Sequence, residues 1–212
     1  MKGKSLMALM GALLLLSQLP AQETDSPSDN GRESWAEEMF KGPLIDAAGE
    51  EIAVSKLKGK MVGIYFSASW CPPCRAFTPQ LVKFYNQAAQ KNNLEIVFVS
   101  SDKDASSMAK YMKDDKMPWQ ALPFDAPAGK ALKKELKVSG IPHLAVFDSD
   151  GRLLSGNARW DVAVLGEKAI EKWRSPDYKP LTYQDYQKKS AAQKKGKDKK
   201  KRVTPFTRGK KK

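Results

Sequence analysis

Met61-Val-Gly-Ile-Tyr-Phe66 leads through Ser67-Ala-Ser69 into Trp70-Cys71-Pro72-Pro73-Cys74. A continuous uncharged run of this kind predicts a strand buried on both faces, as in a parallel sheet, rather than one with a solvent face. Beyond the cysteines, Phe77, Leu81, Phe84, Tyr85 and Ala88 return at helical spacing. They predict a helix over 72–91, with Pro72 and Pro73 in its first turn and Pro79 as a kink. A second apolar strand is expected over 94–100, so strand, helix and strand form a βαβ unit with a right-handed crossover. The fold class is therefore α/β, with a sheet that is at least partly parallel.

Working outward, the C-terminal half predicts helices over 105–112 and 128–136, separated by the punctuated stretch 116–124. A strand over 143–148 then turns back through Ser149-Asp150-Gly151 into a strand over 152–154. A helix over 162–173 closes the domain, which is expected to occupy 42–175. Residues 22–41, rich in Ser, Asp and Glu, read as a flexible linker. Residues 176–212 pass into a lysine-rich composition with too little apolar surface to offset ordering, and are expected to be disordered.

The formal charge of +13 over 212 residues suggests a nucleic-acid binder until it is located. Residues 188–212 hold 13 Lys or Arg against one Asp, whereas 22–187 hold 22 basic and 23 acidic groups. The body of the protein is nearly neutral. The first 21 residues have the three parts of an export signal: Lys2 and Lys4, the apolar run from Leu6 to Leu16, and a polar stretch ending at Ala21. Cleavage after Ala21 is expected. Leu19 is larger than the usual small residue two places before such a site, which leaves an uncleaved N-terminal membrane anchor as the alternative. The localisation that follows is export to a periplasm or cell envelope.

Cys71 and Cys74 are the two cysteines of the chain. A structural staple is one reading, but a bridge across two intervening residues closes a very small loop and constrains the unfolded chain little. Half of a zinc site is another, but only His143 and carboxylates are available to complete it. Redox chemistry is the reading favoured by position, because the pair stands where a buried strand ends and a helix begins. Only a thiolate attacks a disulfide, and unpaired N–H groups at a helix N-terminus stabilise that anion. Cys71, at the tip, is the expected nucleophile. Cys74, one turn in, is the expected resolving residue and the partner in a redox disulfide.

The motif resembles that of the thioredoxin superfamily, and more closely its tryparedoxin and nucleoredoxin branch. Residues 66–81, Phe-Ser-Ala-Ser-Trp-Cys-Pro-Pro-Cys-Arg-Ala-Phe-Thr-Pro-Gln-Leu, are similar almost throughout to that branch's signature. Lys83-Phe-Tyr85, Met117-Pro-Trp119, Pro123-Phe124, Gly140-Ile-Pro142 and Asp148-Ser-Asp-Gly151 extend the likeness over about 43–173. The resemblance implies a central mixed sheet with helices on both faces and thiol-disulfide oxidoreductase activity, with no organic cofactor and no metal. It also implies a cis-Pro142 facing the cysteines, with Ile141 presenting its backbone to an extended substrate in a groove that includes Trp70, Pro72 and Pro73. Trp119 is a further aromatic candidate for that groove, but core packing is its favoured role.

Two positions depart from thioredoxins proper. Tyr65 stands where those proteins keep a buried Asp, as it does in tryparedoxin-like chains, and His143 follows the proline where Thr is common. His143 reads as a neutral strand residue, with tuning of the cysteines or substrate contact as the alternative. The implied partners are a disulfide-containing protein substrate and an upstream thiol donor, with electron flow leaning toward reduction or isomerisation. A polypeptide-binding protein with idle cysteines is the reading from another class. The lysine-rich tail reads first as a solvated segment with no specific partner, and, if the chain is exported, an anionic membrane or envelope surface is its leading candidate partner. Lys199-Lys-Lys-Arg-Val203 also resembles a nuclear localisation signal, which keeps an intracellular nucleoredoxin-like protein with a nucleic-acid-directed tail as the less favoured alternative.

Overall fold

The computed structural model describes residues 34–192; the segment expected to be an export signal and the most basic stretch of the tail lie outside them. Within these bounds one seven-stranded sheet is built from β1 (Leu44–Ile45), β2 (Glu51–Ile52), β3 (Met61–Ser67), β4 (Leu94–Ser100), β5 (Gln120–Ala121), β6 (His143–Phe147) and β7 (Leu153–Ser155). Its order is β2-β1-β5-β4-β3-β6-β7. β3 runs parallel to β4 and antiparallel to β6, and β4 is parallel to β5. The sheet is thus mixed, and all seven residues of β3 are buried at its centre.

Period-two alternation sends β3 side chains into two cores. Met61 and Tyr65 join one face, packed by α2 (Pro72–Phe84), α3 (Ala105–Asp114), α5 (Arg159–Leu165) and α6 (Lys168–Trp173). Val62, Ile64 and Phe66 join the other, covered by α1 (Trp35–Phe40) and α4 (Pro127–Glu135). A strand apolar on both faces therefore specifies helices on both faces, as expected from the sequence.

The domain is longer than 42–175 at both ends. The linker expected over 22–41 contains α1, whose N-cap Ser34 and third residue Glu37 form a reciprocal capping box, and which buries Ala36 and Phe40. The disordered tail expected from 176 is ordered at its start. Asp161, fully buried, accepts hydrogen bonds from Ser155 Oγ (2.9 Å), Trp173 Nε1 (2.9 Å), Tyr178 Oη (2.7 Å) and the Leu181 amide (2.8 Å). The last two donors tie the chain beyond 176 to the body. Residues 183–192 then form a helix, opened by Thr182 and Asp185 in a second reciprocal cap. In both places a polar composition outweighed a short capping signal in the sequence reading.

Other boundaries moved for local reasons. The helix expected over 162–173 is two helices, α5 and α6, broken at Gly166 with φ 57°. The helix expected over 72–91 ends its regular part at Phe84 and continues as a π turn over Tyr85–Ala89. The hairpin signal at 149–151 is realised: Asp148 Oδ1 accepts from the amides of Asp150 (3.1 Å) and Arg152 (2.8 Å). Gly151 takes φ 82°, and a Cβ built there would lie 2.7 Å from the Trp35 ring, whose Nε1 donates to Ser149 O at 2.8 Å. The hairpin is thus the seat of α1. Gly151→Ala combines a left-handed backbone with a clash against that ring and should cost at least about 1–3 kcal/mol. Urea unfolding with an unchanged midpoint would show that α1 does not rest on this turn.

Candidate active site

β3 delivers the chain to the cysteines through a loop held at several points. Ser69 donates through its amide (2.8 Å) and hydroxyl (2.7 Å) to Asp102 Oδ1, and Ser100 Oγ donates to Asp102 Oδ2 (2.8 Å). The Cys71 amide donates to Ala68 O at 3.2 Å. Trp70, 58% exposed, lies over the same loop with Nε1 donating to Ser101 O at 3.0 Å. Asp102 was not singled out from the sequence. Its signal was the Ser100-Ser-Asp102 run at the end of β4, next to the end of β3 in a parallel pair.

Cys71 is the N-cap of α2, with φ −93° and ψ 108°. Pro72 and Pro73 occupy the first helical positions and offer no N–H, so the first available donor is the Cys74 amide, which reaches Cys71 Sγ at 3.3 Å. The two cysteines are joined in a disulfide, with Cα atoms 5.2 Å apart. Both are buried, Cys74 completely and Cys71 to 4% exposure. Cys71 Sγ lies 3.8 Å from Ile141 O, and the Ile141–Pro142 bond is cis. The expected site residues Trp70, Cys71, Pro72, Pro73, Cys74, Ile141 and Pro142 are therefore brought together.

Trp119 packs in the core, its favoured role, and not in the groove. It is 2% exposed and packs edge-on to Tyr65 and Tyr85, with centroids 6.2 and 5.5 Å away. His143 is buried in β6 opposite Phe66, with centroids 6.0 Å apart and Nε2 unpartnered. Burial, and after it the charge of Arg159, holds its pKa below the ordinary value. At neutral pH the ring is uncharged and adds no positive field to the sulfurs.

Behind Cys74 lies a buried hydroxyl network in place of a carboxylate. Thr78 Oγ1 donates to Cys74 O at 3.0 Å, which uses its one proton. Tyr65 Oη (2.8 Å) and Tyr111 Oη (2.6 Å) must then both donate to Thr78 Oγ1, leaving Tyr111 to accept from Ser67 Oγ at 3.1 Å. Burial pushes the Tyr65 phenol well above its ordinary pKa, so it stays neutral. Each of the four hydroxyls of this network has a hydrogen-bond partner.

Comparison with known proteins agrees with this arrangement. Residues 59–153 match a family model described as thioredoxin-like. Tryparedoxin II from Crithidia fasciculata is 37% identical, with a TM-score of 0.60 over 67% of this chain and 95% of that one. The chain belongs to the thioredoxin-like family. Among curated relatives, probable nucleoredoxin 1 of Arabidopsis thaliana is 47% identical over 115 residues, covering 54% of this chain and 20% of the relative. Nucleoredoxin of Bos taurus is 40% identical over 129 residues, covering 59% and 29%. The chain thus spans less than a third of the length of these nucleoredoxins, while it matches nearly the whole of the tryparedoxin.

The hydroxyl network makes a stability prediction. Thr78→Val removes the shared acceptor for two buried phenols and should lower stability by about 1–3 kcal/mol, with Thr78→Ser restoring much of the loss. Equal denaturation midpoints for the wild type and the valine variant would show that Tyr65 and Tyr111 find other partners.

Proposed function

We propose that this protein is a thiol-disulfide oxidoreductase that works through Cys71 and Cys74 and favours reduction or isomerisation over oxidation. The observation that carries the reading is the placement of Cys71 Sγ between the Cys74 amide at the start of α2 and the Ile141 carbonyl of the cis-proline loop. On reduction, the Cys71 thiolate attacks one sulfur of a substrate disulfide, forming a mixed disulfide and releasing the other sulfur as a thiol after protonation. Cys74, having lost its proton, then attacks Cys71 Sγ. The second substrate sulfur leaves and is protonated, and the Cys71–Cys74 disulfide remains. Two electrons and two protons have moved to the substrate, and an upstream thiol donor must return them. The backbone beside Cys71 suits an extended polypeptide, which makes a protein disulfide the proposed substrate.

The lean toward reduction follows from the donors that reach the nucleophile. An oxidant of this type owes its potential to a strongly stabilised thiolate. Here two prolines remove N–H groups from the first turn, and His143 is neutral. Thiolate stabilisation is therefore moderate, and the potential should fall at roughly −190 to −270 mV. Equilibration with glutathione or dithiothreitol measures it, and a value more oxidising than about −150 mV would make the protein a disulfide donor instead. Export to a periplasm or envelope remains part of the proposal, supported by Lys2, Lys4, the apolar run to Leu16 and Ala21. Contact of the lysine-rich end with an anionic membrane or envelope surface belongs to the same proposal and rests on charge alone.

The roles of the two sulfurs separate by trapping. Cys74→Ser should accumulate mixed disulfides through Cys71, because the resolving thiol is gone, whereas Cys71→Ser should trap nothing and lose turnover. Equal trapping by both variants on non-reducing gels, or insulin reduction that survives Cys71→Ser, would overturn the assignment.

A further inference from the structure

The chain beyond the βαβ and ββα halves does not simply leave the domain; it returns to the cysteine face. Asp161 anchors it through Tyr178 and Leu181, and the helix at 183–192 then lies against the start of α5. Tyr183 and Tyr186, one helical turn apart, face Trp160 with ring centroids 5.1 and 5.2 Å away. Arg159 stacks its guanidinium on Trp160 at 3.9 Å and donates through Nη1 to Pro142 O at 2.8 Å. The aromatic group is thereby tied to the proline loop that faces Cys71.

Between them lies a pocket of about 220 Å³, bordered by Pro73, Phe77, Pro142, Trp160, Ala163 and Tyr186. That is below the roughly 300–1,000 Å³ typical of pockets that enclose a drug-sized ligand, so it suits one large side chain rather than an organic cofactor. Pro73 lies between the two cysteines, so a residue seated here would stand close in sequence to a cysteine reacting with Cys71. The charge on that helix is positive on balance. Lys188 and Lys189 lie on the tyrosine-bearing helix against one acid, Asp185, and Arg159 borders the pocket.

We infer that this pocket seats an aromatic side chain flanking the reactive cysteine of an acidic polypeptide disulfide, so that the C-terminal helix selects the substrate. The inference rests on the oxidoreductase reading and deepens it. The apolar wall supplies the pocket for the side chain, and the lysines attract the negative chain that carries it. The occupant is thus a protein disulfide of stated character, not a small thiol compound.

The test uses the full chain and two synthetic acidic peptides, each linked through one cysteine to 2-nitro-5-thiobenzoate, with dithiothreitol as donor. One peptide has Phe beside the cysteine and the other Ser. Wild type should favour the Phe peptide in kcat/KM by about tenfold, the lower end of what one apolar group in a hydrophobic pocket provides. Tyr186→Ala should bring that ratio close to one, and Tyr186→Phe should keep it. Salt should slow wild type on both peptides, and Lys188→Glu with Lys189→Glu should weaken that dependence. A Phe preference that survives Tyr186→Ala, or no preference in wild type, overturns the inference. So does a wild type that acquires the preference only when 193–212 is deleted, which would make the chain's own end the occupant. If wild type cannot reduce hydroxyethyl disulfide, it is the oxidoreductase reading that fails. Calorimetric binding of the two peptides in thiol-blocked form to the Cys71→Ser protein then still decides the pocket: about tenfold tighter binding of the Phe peptide supports it, and equal binding overturns it.

Discussion

Backbone groups buried in a sheet must be paired, and β3 meets that demand on both sides at once, parallel to β4 and antiparallel to β6. The strand therefore cannot bend until it leaves the sheet at Ser67. From there a loop held by Asp102 and by the Cys71–Ala68 bond turns the chain into α2 with Cys71 at its cap. β6, the antiparallel neighbour, begins at His143, immediately after the cis-proline. The two halves of the site are thus brought together by the pairing of two adjacent strands, and the 3.8 Å approach of Cys71 Sγ to Ile141 O follows from that register.

The polar groups of the interior divide into two kinds. Beneath Cys74 they are neutral: Tyr65, Thr78, Tyr111 and Ser67 satisfy one another by sharing protons in a fixed order. The carboxylates near the site serve as clamps, Asp102 on the loop before Cys71 and Asp161 on the chain after Trp173. The field at the cysteine sulfurs then comes mainly from the backbone, through one amide and the end of the helix dipole.

Much of this was legible along the chain. The apolar run at 61–66 and the helical spacing after Cys74 each specify an element from short-range information, and the likeness of 66–81 to a known signature added the mixed sheet and the cis bond. For Trp119 the core was the favoured place, as it is in the structure, although an aromatic residue next to a proline also fits a groove. Asp161 gave no signal as a clamp and Asp102 only the Ser100-Ser-Asp102 run, because their donors come from residues up to 20 and 33 positions away. At both ends of the domain the capping pairs Ser34 with Glu37 and Thr182 with Asp185 were present in the sequence, yet composition argued the other way.

By itself, then, the sequence determined the local matters: which residues form the central strand, where the helix begins, and that Cys71 and Cys74 share its first turn. The physical reason is that periodicity, proline and caps act within a few residues. Tertiary structure decided what depends on meeting at a distance. It buried Trp119 and His143, and it set Gly151 beneath Trp35. It also carried Tyr183 and Tyr186 back to Trp160 beside the cysteines, because Asp161 holds four donors that only the folded chain brings together.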